Sequence, residues 1–298
     1  MTASTDISII GCGKVGCAIA LLAERSGRKI SALANRDGNR SRELATQIGS
    51  PQTATDITTA ASAGGIVLLT VSDDAIESLC NELSATGAFT EGSIVAHCSG
   101  ALGSDILASA RDKCGAKIAS MHPLATFPTA EAAMEKFAGT YCFCEGDPAA
   151  TDELMTLAGD IGGKPRLIKS EGKVLYHAAA CMASNYFVAL MEASLAMCDT
   201  AGIDRETAWD ALSPLVAATL DNVTKLGPAA ALTGPIARGD AKTIARHIDA
   251  LDACDADLQA FYRIAGRLTL QLATVRKNRD QASDDAIAKM LDSPFKQE

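Results

Sequence analysis

The sequence predicts an α/β chain in which an N-terminal doubly wound parallel sheet is followed by an all-α domain. Three observations predict it. Short β-branched runs alternate with helical stretches through the first 170 of the 298 residues. A Gly-x-Gly-x-x-Gly turn (Gly11, Gly13, Gly16) joins the first run to the first helical stretch. Beyond Ser170 no strand pattern recurs, and Ala/Leu-rich helical patterns continue to about Thr274. Strands that alternate with helices give a parallel sheet covered on both faces.

In chain order, strands are expected at residues 6–10, 29–34, 65–71, 93–97, 116–121, 140–144 and 165–168. Helices are expected at 15–25, 40–48, 74–83, 104–110 and 149–161. Helical patterns after residue 170 break near Gly202, Pro214, Gly227-Pro228 and Gly234-Pro235. This divides the chain into residues 1–170 and 171–298. A charged tail from Val275 carries a short amphipathic segment at 285–291. The helix over 172–201 is apolar on nearly every face, which reads as buried all round and favours a homodimer packed through the helical domain. Its stretch 174–191 approaches membrane-spanning length, but His177, Ser184 and Asn185 interrupt it, so a buried helix is the better reading.

Composition narrows the function. The net charge is −9 with no basic block, which argues against nucleic-acid or anionic-membrane partners. The 10 cysteines are scattered without a Cys-x-x-Cys pair, so neither structural zinc nor a disulfide framework is expected. The N-terminus lacks the basic and apolar regions of a signal peptide, and a cytoplasmic protein is expected.

The glycine turn has the strand–turn–helix context of a dinucleotide fingerprint. Gly11 allows the tight turn, Gly13 lets backbone approach a pyrophosphate, and Gly16 lets helix and strand pack closely. Lys14 and Val15 lie between them, at the helix N-terminus that would receive the anion. The second strand ends at Asn35-Arg36-Asp37, with Arg40 one turn later. A guanidinium pairs with a 2′-phosphate that an acidic residue would repel, which favours NADP; Asp37 keeps NAD open. Val71 and Ser72 follow a buried strand and should pass along the cofactor. Asp73 or Asp74 reads equally as a helix cap.

Three groups carry candidate chemistry: His97-Cys98-Ser99-Gly100, His122-Pro123-Leu124-Ala125-Thr126-Phe127, and Lys173, His177, Ser184 and Asn185. The first two end strands, where ligands of open α/β sheets lie. Lys173 and His177 share a helix face. His97 reads as structural and His247 as an exposed helix residue.

The chain resembles the Rossmann-type reductases with a helical C-terminal domain, a superfamily that includes ketopantoate reductases, β-hydroxyacid dehydrogenases, pyrroline-carboxylate reductases and prephenate dehydrogenases. More narrowly, it is similar to a group marked by His-x-Ser-Gly-Ala-Leu (97–102), His-Pro-Leu-x-x-Phe (122–127), Lys-x-x-Tyr-His-Ala-Ala (173–179) and Leu-Thr-Gly-Pro-Ile-x-Arg-Gly-Asp (232–240). The resemblance implies hydride transfer between nicotinamide and a small oxo- or hydroxy-acid, with a ketopantoate-like substrate as the best guess. Lys173 matches the catalytic lysine of the hydroxyacid and ketopantoate branches, although His177 stands where they have asparagine. His122 resembles the prephenate-type histidine that contacts the hydroxyl, with Ser99 as its expected neighbour. Catalysis is therefore assigned to Lys173 or His122. Substrate contacts are assigned to Ser99, Thr126, His177, Ser184, Asn185 and Arg238, and Ser99 also borders the cofactor. Two rival readings are a prephenate-type dehydrogenase, for which no arginine pair can be assigned, and an NADP-binding regulatory protein without turnover.

Overall fold

The computed structural model describes residues 5–127, 129–275 and 279–292. Residues 1–4, part of the stretch on which the signal-peptide reading rests, and two pieces of the charged tail lie outside them, while the segment expected at 285–291 lies within a described helix. The chain forms two compact units, Met1–Ala183 and Ser184–Glu298. The division expected near residue 170 thus falls later, because the first helix after the sheet packs with the N-terminal unit.

That unit is built on one seven-stranded sheet of order β2-β1-β3-β4-β5-β6-β7. The strands are β1 (Ile7–Ile10), β2 (Ile30–Ala34), β3 (Ile66–Leu69), β4 (Ile94–His97), β5 (Lys117–Pro123), β6 (Tyr141–Gly146) and β7 (Lys164–Leu167). The helices are α1 (Lys14–Arg25), α2 (Gly38–Gln47), α3 (Ile57–Ala63), α4 (Asp73–Ala85), α5 (Ala108–Cys114), α6 (Ala130–Lys136), α7 (Pro148–Asp160) and α8 (Lys173–Ala183). β1, β3 and β4 are buried at every position, as expected of strands covered on both faces. One apolar layer joins Ile7, Ile9, Leu33 and Leu68 to α1 and α7. The other joins Ile10, Val67, Leu69 and Val95 to α4.

The sequence did not reveal one reversal. β6 pairs antiparallel with β5 (His122 opposite Phe143), and β7 then runs parallel to β6. Tyr141 therefore begins beside the upper end of β5, and the chain leaves β7 lower on the sheet.

The C-terminal unit is helical: α9 (Asn185–Thr200), α10 (Arg205–Leu226), α11 (Pro228–Ala231), α12 (Pro235–Arg238), α13 (Ala241–Ala250), α14 (Ala256–Thr274) and α15 (Gln281–Asp292). Its core gathers Ile236, Ile244, Leu270, Ala273, Ile287 and Leu291. Arg279 pairs with Asp284 and donates to the carbonyls of Ile236 and Ala237. α10 runs through Pro214. A proline removes one backbone hydrogen bond, and here that loss does not end the helix, contrary to the break expected there.

The apolar helix over 172–201 is not buried within the chain. It is interrupted at Ser184 (φ −117°, ψ −69°). In α8, Val174 is 68 % and Leu175 78 % exposed. In α9 and α10, Tyr186, Val188, Trp209, Leu215 and Leu220 are exposed. Ser170–Thr200 is the one described stretch long and apolar enough to cross a membrane.

Candidate functional site

β1 delivers the chain into the glycine turn. Gly11 has φ +110°, and a Cβ there would lie 2.7 Å from the Thr70 carbonyl. A Cβ on Gly16 would lie 2.1 Å from the Gly11 oxygen. These two glycines are required by packing. Gly13 differs, because a Cβ there would meet nothing within 4 Å. Gly13 is also the N-cap of α1, which has no side-chain cap and no acidic residue in its first turn. The N–H groups of Lys14, Val15 and Gly16 have no partner one turn back in the helix. Open backbone, uncapped N–H groups and the positive dipole end together fit a pyrophosphate.

Asn35 ties the second strand to this turn: its Oδ1 accepts from the Cys12 N–H at 3.0 Å and its Nδ2 donates to the Asp37 carbonyl. Arg36 and Arg40 are exposed and line a cavity of about 640 Å³ together with Gly11, Val71 and Ser72. Arg40 also borders a second cavity of about 440 Å³ with Gly13 and Lys14. The Asp37 carboxylate caps α2 through the Asn39 N–H. Both arginines thus border the cavity beside the glycine turn, while the Asp37 carboxylate is occupied with its helix.

Beyond this cradle the strand-end loops are laced together. Ser72 is the N-cap of α4, and Asp73, its first residue, accepts from Ser99 Oγ at 2.7 Å. The same Oγ accepts from the N–H groups of Ala101 and Leu102. The Ser99 hydroxyl hydrogen is thus committed to Asp73. Buried His97 accepts the Ser99 N–H at Nδ1 and faces the Gly103 carbonyl with Nε2, both at 3.1 Å. That pattern defines a neutral Nε2–H tautomer. Burial, helped by the Lys173 charge, lowers its pKa to about 4. His97 is structural, as read from the sequence.

His122 meets Tyr176, His177 and Gly100. Its Nδ1 lies 2.9 Å from the Tyr176 hydroxyl. The His177 ring stands edge-on with centroids 5.9 Å apart. A Cβ on Gly100 would fall 2.8 Å from His122 Nε2 and 2.5 Å from His177 Cδ2, so only glycine permits this approach. Phe143 of β6 packs on Tyr176 at 4.6 Å. Burial, then His177, then Lys173 lower the His122 pKa to about 4, so the imidazole is neutral at pH 7. Burial also raises Tyr176 to about 12 and keeps its hydroxyl protonated.

Lys173 does not face open space. It is 1 % exposed. Its ammonium donates to Ser120 Oγ and lies 3.3 Å from Glu145 Oε1. Glu145 also accepts from the Ser104 N–H at 2.9 Å and the Ser104 hydroxyl at 2.8 Å, and from Ser120. The lysine assigned to the proton step is therefore held against the sheet; the helix face it shares with His177 lies over β5 and β6 at that level.

The remaining expected residues lie on other elements. Thr126 is exposed in the loop after β5. Half-buried Ser184 interrupts the helical run, and exposed Asn185 begins α9. Arg238 is exposed at the end of α12. The last three belong to the C-terminal unit, while His122 and His177 belong to the N-terminal one. Among the described residues no group of three His, Cys, Asp or Glu could hold a metal. Sequence reasoning missed Tyr176, although it stands inside the quoted 173–179 signature. It also missed Glu145, whose one signal is a lone acid closing an otherwise apolar strand.

Residues 1–123 match the family of Rossmann-like domains, and residues 140–269 match a domain of unknown function, DUF2520. The curated proteins give no match. Among solved structures, a Thermotoga maritima protein is 26 % identical with TM-score 0.73, over 91 % of this chain and 100 % of that one. A presumed NADP oxidoreductase from Bacteroides fragilis is 20 % identical with TM-score 0.69, over 90 % and 98 %. A reductive aminase from Aspergillus terreus, solved with NADPH, cyclohexanone and allyl amine, is 14 % identical with TM-score 0.61, over 97 % and 99 %. The chain is thus similar along most of its length to structures that pair a Rossmann-like sheet with a helical unit.

Proposed function

We propose that this chain is an NADP-dependent reductase that places a hydride on a small carbonyl or imino carbon. The observation that carries the reading is the open backbone at Gly13, at an uncapped helix end flanked by Arg36 and Arg40. The kinds of protein named among the structural neighbours support it: an NADP oxidoreductase, an imine reductase, reductive aminases and a pyrroline-5-carboxylate reductase. The dinucleotide supplies the hydride.

The chain's own residues bear on which substrate receives it. Reduction of a ketone needs a proton on the developing alkoxide. In the N-terminal unit His122 is neutral at pH 7 and Lys173 is enclosed. A protonated imine brings its own proton and needs only a neutral acceptor for its N–H. His122 Nε2 offers that acceptor when Nδ1–H donates to the Tyr176 oxygen. This favours a small cyclic or acyclic imine over the ketopantoate-like 2-oxoacid suggested by the sequence. The prephenate-type reading keeps His122 as base, and the regulatory reading keeps the cofactor without turnover.

The test is NADPH and NADH titration followed by NADPH oxidation across 2-oxoacids and imines. Tight NADPH binding with imine turnover is expected. Absence of binding refutes the proposal, and turnover of 2-oxoacids alone refutes the imine preference. Arg36→Ala with Arg40→Ala should cost NADPH affinity tenfold or more relative to NADH, each lost guanidinium–phosphate bond contributing about 1.5–3 kcal/mol. We also infer that a second copy covers the exposed apolar side chains of α9 and α10. Sedimentation should give a dimer that Trp209→Asp with Leu220→Asp dissociates; a monomer in the unaltered protein refutes this.

A further inference from the structure

We propose that Lys173 is a positioning residue that clamps the first turn of α8 onto the β5–β6 strand pair and so holds Tyr176 against His122. The proposal rests on the reading of His122 as the group that meets substrate. Its geometry is independent of turnover.

The clamp is a closed network. Lys173 donates to Ser120 in β5 and pairs with Glu145 in β6, strands hydrogen-bonded to each other with Ser120 directly opposite Glu145. Ser120 also donates to Glu145, and Ser104 supplies the carboxylate's remaining donors through its N–H and hydroxyl. A carboxylate with this many donors is held ionised, and its pKa is lowered despite burial. Lys173 and Glu145 are 1 % and 6 % exposed, so no solvent stands in for a missing partner. Tyr176 and His177 follow three and four residues after Lys173, one helical turn above it. Two strand positions above Ser120, His122 receives that turn: Tyr176 at Nδ1 and His177 at the ring edge. The pairing that fixes the foot of the helix thereby sets the position of the residues that enclose the imidazole.

The ammonium also acts through space. The charged and titratable groups facing His122 are Lys173, Tyr176 and His177 from α8 and Asp73 from the start of α4. Of these, Lys173 and His177 oppose a charged imidazole and Asp73 favours it. Removing the lysine charge raises the His122 pKa, and loosening Tyr176 admits water and raises it further.

A buried pair broken on one side is costly, whereas removing both charges together is close to neutral. The experiment is a cycle of Lys173→Met, Glu145→Gln and the double variant, with three measurements: melting temperature, NADPH affinity, and His122 titration by NMR, where four histidines make assignment tractable. Each single variant should melt about 10 °C lower. Lys173→Met should move the His122 pKa up from about 4 toward 6.5. The double variant should recover most of the melting temperature, bind NADPH as the wild type does, and regain turnover relative to Lys173→Met. If the single variants do not fold, the double variant alone decides, by its His122 titration and its turnover. A double variant that is stable and binds NADPH but has lost turnover more than a thousandfold makes Lys173 catalytic and overturns the proposal. An unmoved His122 titration in the folded variants overturns it as well. Failure to bind NADPH in the wild type refutes the functional reading instead and leaves the NMR test of the clamp intact.

Discussion

Acidification should unlock the loop that joins β4 to α5 through His97. In the folded state its Nδ1 accepts the Ser99 N–H, so a proton added there would face another donor, in a residue with no exposed surface. The ordinary pKa of 6.5 falls to about 4, which corresponds to about 3 kcal/mol between the protonation states. The sign follows from proton binding. Between these two values the unfolded chain holds a proton that the folded chain does not, so stability rises with pH there. The contribution is complete above about pH 6.5 and is lost as the pH falls toward 4, with a slope of at most about 1.4 kcal/mol per pH unit. Urea unfolding at steps between about pH 4.5 and 7.5 measures it. His97→Gln keeps one acceptor and one donor without a titrating proton, so its stability should fall less steeply over this range. His122 and the acidic caps titrate in both proteins and cancel in the difference. Equal slopes for the two proteins would refute the assignment of a neutral, donor-facing His97.

Two more outcomes test the site directly. Gly13→Ala should keep the wild-type melting temperature and lose NADPH affinity, since the added methyl enters open space; Gly16→Ala should lose stability itself, because its Cβ falls on the Gly11 oxygen. Paired melting curves and NADPH titrations distinguish the two. Ser99→Ala leaves Asp73 and the N–H groups of Ala101 and Leu102 without their shared partner, at a cost of about 1–3 kcal/mol in urea unfolding and with a higher KM for substrate; Ser99→Thr should restore part of both.

The glycine turn was legible in the sequence because the strand–turn–helix pattern around it is local. Gly16 is dictated by the Gly11 oxygen within one strand–turn–helix unit, whereas the Thr70 carbonyl that Gly11 meets comes from the end of β3 and was not legible; β1, β3 and β4 are marked by short apolar runs. The direction of β6 was not legible. Cys142 and Cys144 alternate onto one face whichever way the strand runs, since period two carries no polarity. α3 and α6 have seven residues each, too few for a helical period to emerge. The spacing of Lys173 and His177 correctly gave a shared helix face but not what lies beneath it. Glu145 and Ser120 meet one residue and Gly100 the other. The apolar span over 172–201 shows the same gap: sequence marks a side chain as apolar without saying what covers it.

The reversal of β6 has a geometric consequence for where chemistry can be built. Had the strand run with its neighbours, the helix leaving the sheet would set out level with His122 and carry its residues downward and away. The turned strand hands the chain back at a lower storey, so the departing helix must ascend past the level of His122. A change in one strand's heading thus supplies a wall for the imidazole that a uniformly parallel sheet of the same length would leave missing.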